Sequence, residues 1–205
     1  MRASAGKRTR GEHAERRAGW RGETVTEMPE RASDQRPDTA RARGTLEAAL
    51  TEAEVEWESP REGTYVVTLP GVRKLSTTCA FAVGRHSLSV NAFVVRCPEE
   101  NAADVHRWLL ARNTRLYGVG YAVDRLGDIY LVARLPLAAV SSEEIDRLLG
   151  AVLEEADGSF NTLLEMGFGS AIRREYEWRI SRGESTRNLE AFSHLFDGPS
   201  GDTAT

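Results

Sequence analysis

The groups in this chain that could do chemistry are four histidines, two cysteines and two aspartates flanking a glycine. His13, His86, His106 and His194 show neither HxxxH nor ExxH spacing, the patterns that put two ligands on one helix face, so no metal site is expected. Cys97 and His106 could pair as thiolate and imidazole, but nothing in their spacing fixes that geometry, and a thiol in or at the end of a strand is the simpler reading. Gly118-Val119-Gly120 followed by Asp124 is similar to a fragment of a nucleotide-binding turn. Those glycines enter a strand, however, instead of opening a helix whose N–H groups could hold phosphate. Asp124 and Asp128 around Gly127 could in principle ligate calcium, yet the loop lacks further oxygen ligands, and turn chemistry explains them better. Gly167-Phe168-Gly169-Ser170 is an equally short signal. The expectation is no catalytic residue, no cofactor and no metal.

What remains is surface. Trp108, Tyr117 and Tyr130 fall off the predicted core faces, Trp178 lies beside a C-terminal apolar stripe, and Arg112, Arg115 and Arg134 border them. Aromatics next to arginines suit recognition of a protein partner; the alternative is that they pack beneath the C-terminal helices.

The elements that must position these residues are legible from period. Leu46, Ala49, Leu50 and Ala53 predict a short helix over Thr45–Val55, with Thr45 as its cap. Trp57 leads into a polar break, and Tyr65–Leu69 is the first strand. Lys74–Arg96 reads as a hairpin about Gly84-Arg85, a two-residue turn that sets Leu75, Cys79 and Phe81 opposite Val94, Val90 and Leu88 on a core face. The opposite face is small and polar. In this register Cys97 lies beyond the ladder, far from Cys79, which argues against a disulfide. A helix from Pro98 to about Arg112 follows, then a hairpin about the DRLGD turn that pairs Val123 with Ile129, Tyr121 with Leu131 and Val119 with Ala133. Ser141 and Glu144 stand at capping-box spacing before an apolar stripe reaching Asp157-Gly158, with a possible kink and resumption to Met166. Phe168, Ile172, Tyr176 and Ile180 predict a further helix, broken at Arg182–Ser185, and Leu189, Phe192, Leu195 and Phe196 one more short turn. The fold class is α+β with a five-stranded, mainly antiparallel sheet.

Composition bounds the function. The chain has 205 residues, 40% apolar and 28% charged, with a net charge of −4. Residues 1–44 hold 11 Lys/Arg against 7 Asp/Glu and few large apolar groups, which predicts a disordered arm. The remainder is net −8, and a body this acidic repels a phosphate backbone, so nucleic acid is not an expected partner unless through the arm. Met28 could be the true start. No run approaches the ~20 apolar residues of a membrane span, and no apolar stretch follows the basic N-terminus, so a cytoplasmic location without membrane contact is expected.

Arg107-Trp108-Leu109-Leu110 through Asn113, the hairpin ending Gly127-Asp128-Ile129-Tyr130-Leu131, Leu135-Pro136 and the helix start at Ser141 together resemble the YbjN branch of the type III secretion chaperone-like fold, a group of bacterial sensory transduction regulators. The order α-β-β-β-α-β-β-α agrees, and Arg173-Arg174-Glu175-Tyr176-Glu177-Trp178 is similar to the actinobacterial form. The resemblance divides the chain into an arm (1–44), the domain (45–166), a helical extension (167–197) and a tail (198–205). It implies a non-enzymatic, chaperone-like module that forms a homodimer and binds a client protein through apolar grooves and strand addition. The extra C-terminal helices could cover the client surface. A deep pocket lined by Cys97 and His106, or by Asp124 and Arg112, would instead favour a small enzyme or ligand-binding domain.

Overall fold

A computed structural model describes residues 35–196. The predicted arm up to residue 34, Met28 as a start, and the 198–205 tail lie outside the described residues. Helix α1 (Gln35–Glu52) begins ten residues before the expected start, so 35–44 are helical and Thr45 sits inside the helix instead of capping it. The reason is burial. Ala42 extends the stripe of Leu46, Ala49 and Leu50 by one turn, and all four are buried. Arg41 donates to the Leu137 carbonyl at 3.0 Å, which anchors the added turn.

The sheet has six strands, one more than expected: β1 (Glu56–Arg61), β2 (Thr64–Pro70), β3 (Ser76–Val83), β4 (Ser87–Val95), β5 (Gly120–Val123) and β6 (Ile129–Pro136), in the order β1-β2-β3-β4-β6-β5. All neighbours are antiparallel. The extra strand is β1, which reads as a polar break because it is an edge strand whose residues are mostly exposed. Pro60 is tolerated there because an edge strand has no second neighbour to bond, and a bulge interrupts the pairing between Glu58 and Arg61.

The β5–β6 register is as predicted, with Tyr121 opposite Leu131 and Val123 opposite Ile129. The β3–β4 register differs by two residues: Cys79 faces Ala92, Phe81 faces Val90 and Val83 faces Leu88. A slip of two keeps every side chain on its predicted face, since the pleat repeats at two. Gly84 does not take the positive φ a two-residue turn would demand; instead the loop is wider and closed by Gly84 N–H donating to the Ser87 carbonyl at 2.9 Å. Leu75 precedes the first residue of β3 and is 86% exposed, not in the core. Cys79 is buried, Cys97 is exposed, and both are free thiols.

Helix α2 (Ala102–Asn113) buries Val105 and Leu109. Beyond a short 3-10 turn at Leu137–Ala139, α3 (Ser142–Arg182) runs unbroken for 41 residues, capped by Ser141 Oγ accepting from Glu144 N–H at 3.3 Å. No break occurs at Asp157-Gly158, and no boundary at Met166. The Asp157 carboxylate is occupied by the 72–74 backbone and cannot compete for its own helix, while Arg73 lies across Gly158 and donates to its carbonyl at 3.0 Å. Gly167 and Gly169 form a notch for the Pro98–Asn101 loop. A side chain at Gly167 would meet Pro98, and the Gly167 carbonyl accepts from Glu99 and Glu100 N–H at 2.9 and 3.1 Å. The helix ends at Gly183, φ 66°, as its sequence predicts. A 3-10 segment at Arg187–Leu195 then folds back so that Phe196 stacks on Tyr176.

Helices α1 and α3 pack on each other and on one face of the sheet, where Tyr65, Val67, Cys79, Phe81, Val90 and Leu131 form the core. Burial pushes the Cys79 thiol up to about 12, which favours the protonated form. Among the described residues no helix packs on the opposite sheet face, whose positions on β2, β3 and β4 are intermediate or exposed.

Candidate functional site

The predicted surface residues fall into three places. The first is the corner where α2, β5 and α3 meet. Arg112 donates from Nε and Nη2 to the two oxygens of Glu155 at 2.7 and 3.0 Å, and the Tyr121 hydroxyl lies 3.1 Å from Glu155 Oε1 and 2.6 Å from Ser159 Oγ. Ser159 in turn donates to the Glu155 carbonyl at 2.7 Å. Glu155 is only 4% exposed, and this bidentate partner is what makes its burial tolerable. The same hydrogen bonds raise Arg112 above its ordinary value, and burial raises Tyr121. Trp108 is half-buried against Tyr121, with the Arg112 guanidinium over its ring at 6.0 Å. Arg115 and Tyr117 stand beyond them in solvent, lining a groove of about 530 Å³ with Arg112, Arg147 and Glu154. Asn113 closes the sheet edge here. Its amide oxygen accepts from Tyr121 N–H at 2.7 Å and its amide nitrogen donates to the Tyr121 carbonyl at 3.2 Å, standing in for a seventh strand.

The second place is the uncovered face of the sheet. Tyr130 packs edge-on against Phe93 with ring centroids 5.5 Å apart, and Arg134 lies on the same face, opposite Ser89. Val66, Ala80, Asn91, Val132 and Gly120 form one row across five strands. Every outward position on β2, β3 and β4 is uncharged. Lys74 borders this face, its ammonium donating to the Phe93 carbonyl and lying 5.2 Å from the Phe93 ring centroid. Burial lowers its amine to about 8. The third place is Trp178, 44% exposed and paired with Arg182 at 5.0 Å. It lies 23 residues beyond Glu155 on the same helix, roughly 35 Å along the axis, so it joins neither of the others.

Sequence reading passes over a fourth feature, the loop between β2 and β3. Asp157 Oδ1 accepts from the N–H groups of Val72, Arg73 and Lys74 at 2.8, 2.8 and 2.9 Å. Desolvation pushes its carboxyl up, but the three donors outweigh it and hold the group below the usual carboxylate range. The clamped loop displays Val72 and Leu75, 89% and 86% exposed. Leu75 edges a trough of about 640 Å³ floored by Ala53, Val55, Leu69, Leu149 and Leu153. Nothing local in the sequence signals the Asp157 clamp, because its partners are more than 80 residues away. Glu155 does leave a signal: it stands three residues after Val152, on the apolar side of the stripe.

The chemical candidates are dispersed. Asp124 Oδ1 accepts from Leu126 and Asp128 N–H at 2.8 and 2.9 Å, a turn-building role. Asp128 Oδ1 accepts from Cys97 N–H at 2.8 Å, and Gly127 makes room for the Cys97 thiol. His194 pairs with Glu165 at 2.9 Å, and the His86 carbonyl accepts from Leu137 N–H at 3.2 Å. His13 lies outside the described residues. No group of three or more His, Cys, Asp and Glu among the described residues is arranged to hold a metal. No helix of the described residues is long and apolar enough to cross a membrane.

The described residues form an α+β domain with helices on one face of an antiparallel sheet and grooves beside α3. The chain belongs to the YbjN family, described as "Putative bacterial sensory transduction regulator", whose sequence profile matches residues 42–165. It is 52% identical over 155 residues to an uncharacterized protein of Mycobacterium tuberculosis (strain H37Rv), covering 73% of this chain and 85% of that one. It is 57% identical over 132 residues to one of Mycobacterium leprae (strain TN), covering 64% and 72%. Among solved structures it is similar to a chain of the ExsC–ExsE complex (17% identity, 61% of this chain and 95% of that one, TM-score 0.47). It is also similar to a chain of the Yersinia pestis type III secretion chaperone SycH in complex with a fragment of YscM2 (16%, 56% and 96%, TM-score 0.40).

Proposed function

We propose that this protein is a non-enzymatic, cytoplasmic protein-binding regulator or chaperone-like module, acting through a second copy of itself and a client protein. The observation that carries this reading is the sheet face that no described helix covers. Six strands about 4.8 Å apart and about seven residues long at ~3.3 Å each present roughly 550 Å² in plan, the order of one partner's ~800 Å² share of a standard interface. A face of that size without charge on β2, β3 and β4, carrying the Phe93–Tyr130 pair with Arg134 at its side, has the composition of an interface core and rim. Pairing through this face suits the two blunted edges: β1 has a proline and a bulge, and Asn113 occupies β5, so strand addition is the less favoured route. Trp108, Arg112, Arg115, Tyr117, Tyr130, Arg134 and Trp178 are proposed contact residues, with Tyr130 and Arg134 in the self-association surface. Light scattering on the full chain tests the reading. A dimer at micromolar concentration that Ala80→Arg converts to monomer is expected; a strict monomer that recovers no protein partner on affinity purification overturns it.

A further inference from the structure

We infer that the trough between the end of α1, the end of β2 and α3 is a docking site for a protein segment carrying a bulky apolar side chain flanked by Lys or Arg. The floor is aliphatic, and at about 640 Å³ the trough lies within the ~300–1,000 Å³ range of ligand clefts. Its charged lining is of one sign: Glu54, Glu56 and Asp146 line it and no Lys or Arg does. None of these three carboxylates has a salt-bridge partner among the described residues. Three carboxylates of one sign around an apolar floor select a cationic occupant and repel an acidic one.

The loop at its edge decides that the occupant is a chain segment and not a small molecule. A small ligand filling the trough would leave Val72 and the outer part of Leu75 in water, whereas a polypeptide can cover both. Those two side chains are not loosely exposed: three N–H bonds to Asp157 fix the backbone that carries them. A rigid display of apolar groups loses little entropy when it is covered.

This inference rests on the protein-binding reading and names its client surface, apart from the sheet face that no described helix covers. The test pans a random dodecapeptide display library on the full chain and measures the enriched peptides by fluorescence polarisation. Enriched peptides are expected to carry a large apolar residue within three positions of two or more Lys or Arg. They should bind Leu75→Asn and Asp146→Lys at least ten-fold more weakly, and weaken steadily between 50 and 500 mM salt. Leu75 is exposed enough that its replacement leaves the core untouched, and Asp146→Lys should shift selection toward acid-flanked peptides. Enriched peptides that lack basic flanks, or that bind both variants as tightly as the parent, overturn the trough while leaving the protein-binding reading in place. Failure to enrich any peptide, together with a strictly monomeric chain, overturns both.

Discussion

Replacing Asp157 tests how one carboxylate organises the loop that borders the trough. Asp157→Ala removes the acceptor shared by Val72, Arg73 and Lys74 N–H. Hydrogen bonds to a charged group are worth about 1.5–3 kcal/mol each when fully shielded. Val72 and Arg73 are exposed, however, and water replaces most of what they lose, so a total of about 2 kcal/mol is expected. For a domain of this size that is roughly 4–8 °C in Tm. Asp157→Asn keeps an oxygen acceptor without the charge and should fall between. The sign with pH follows from a folded carboxyl held below its unfolded value of about 3.9. Its stabilisation is present above the unfolded value and is lost as pH falls through the lower folded value, so the gap between parent and variant should narrow as the solution is acidified. Urea unfolding at pH 7 and pH 2.5 measures the gap, and hydrogen exchange at Val72, Arg73 and Lys74 locates it. Unchanged protection of those amides, or a gap equally large at both pH values, would refute the clamp.

Three further outcomes follow from the same geometry. Arg112→Met leaves the buried Glu155 carboxylate without its counter-charge; because Arg112 is itself partly exposed, chemical denaturation should show a loss of about 2–3 kcal/mol, below the 3–5 kcal/mol of a fully buried pair. Lys74 should titrate near 8, against ~10.4 for a solvated lysine, when its methylated amine is followed by NMR with Lys7→Arg removing the other lysine; titration near 10 would contradict its burial. Stability should rise with pH across that window, since the unfolded chain holds the proton longer. Asn113→Ala strips both partners from Tyr121 at the sheet edge, for a loss of about 1–2 kcal/mol, and should raise the rate of light-scattering aggregation because β5 is then open to pairing.

What the sequence by itself determined is set by period. The stripes of α1 and α3, the alternation of β2 to β6 and the tight turn about Gly127 each depend on residues within a few positions of one another, so face and pairing in the second hairpin could be read directly. The first hairpin shows the limit of such reading: alternation fixes which face a side chain takes but neither which of two equivalent registers the loop selects nor where the strand begins, and Leu75 falls one residue short of β3, in solvent. Only tertiary structure decided the rest. Edge strand β1 has no inward alternation to advertise it, and α1 gains its first turns from contacts with the Leu137 turn, far along the chain. Gly158, which reads as a kink, instead lies in a continuous helix where Arg73 donates to its carbonyl, and Gly167 leaves room for Pro98 while its carbonyl accepts from Glu99 and Glu100 N–H. The Asp157 clamp, the Arg112–Glu155 pair and the acid-lined trough join residues from distant segments, and their chemistry exists only once the α3 helix lies across the sheet.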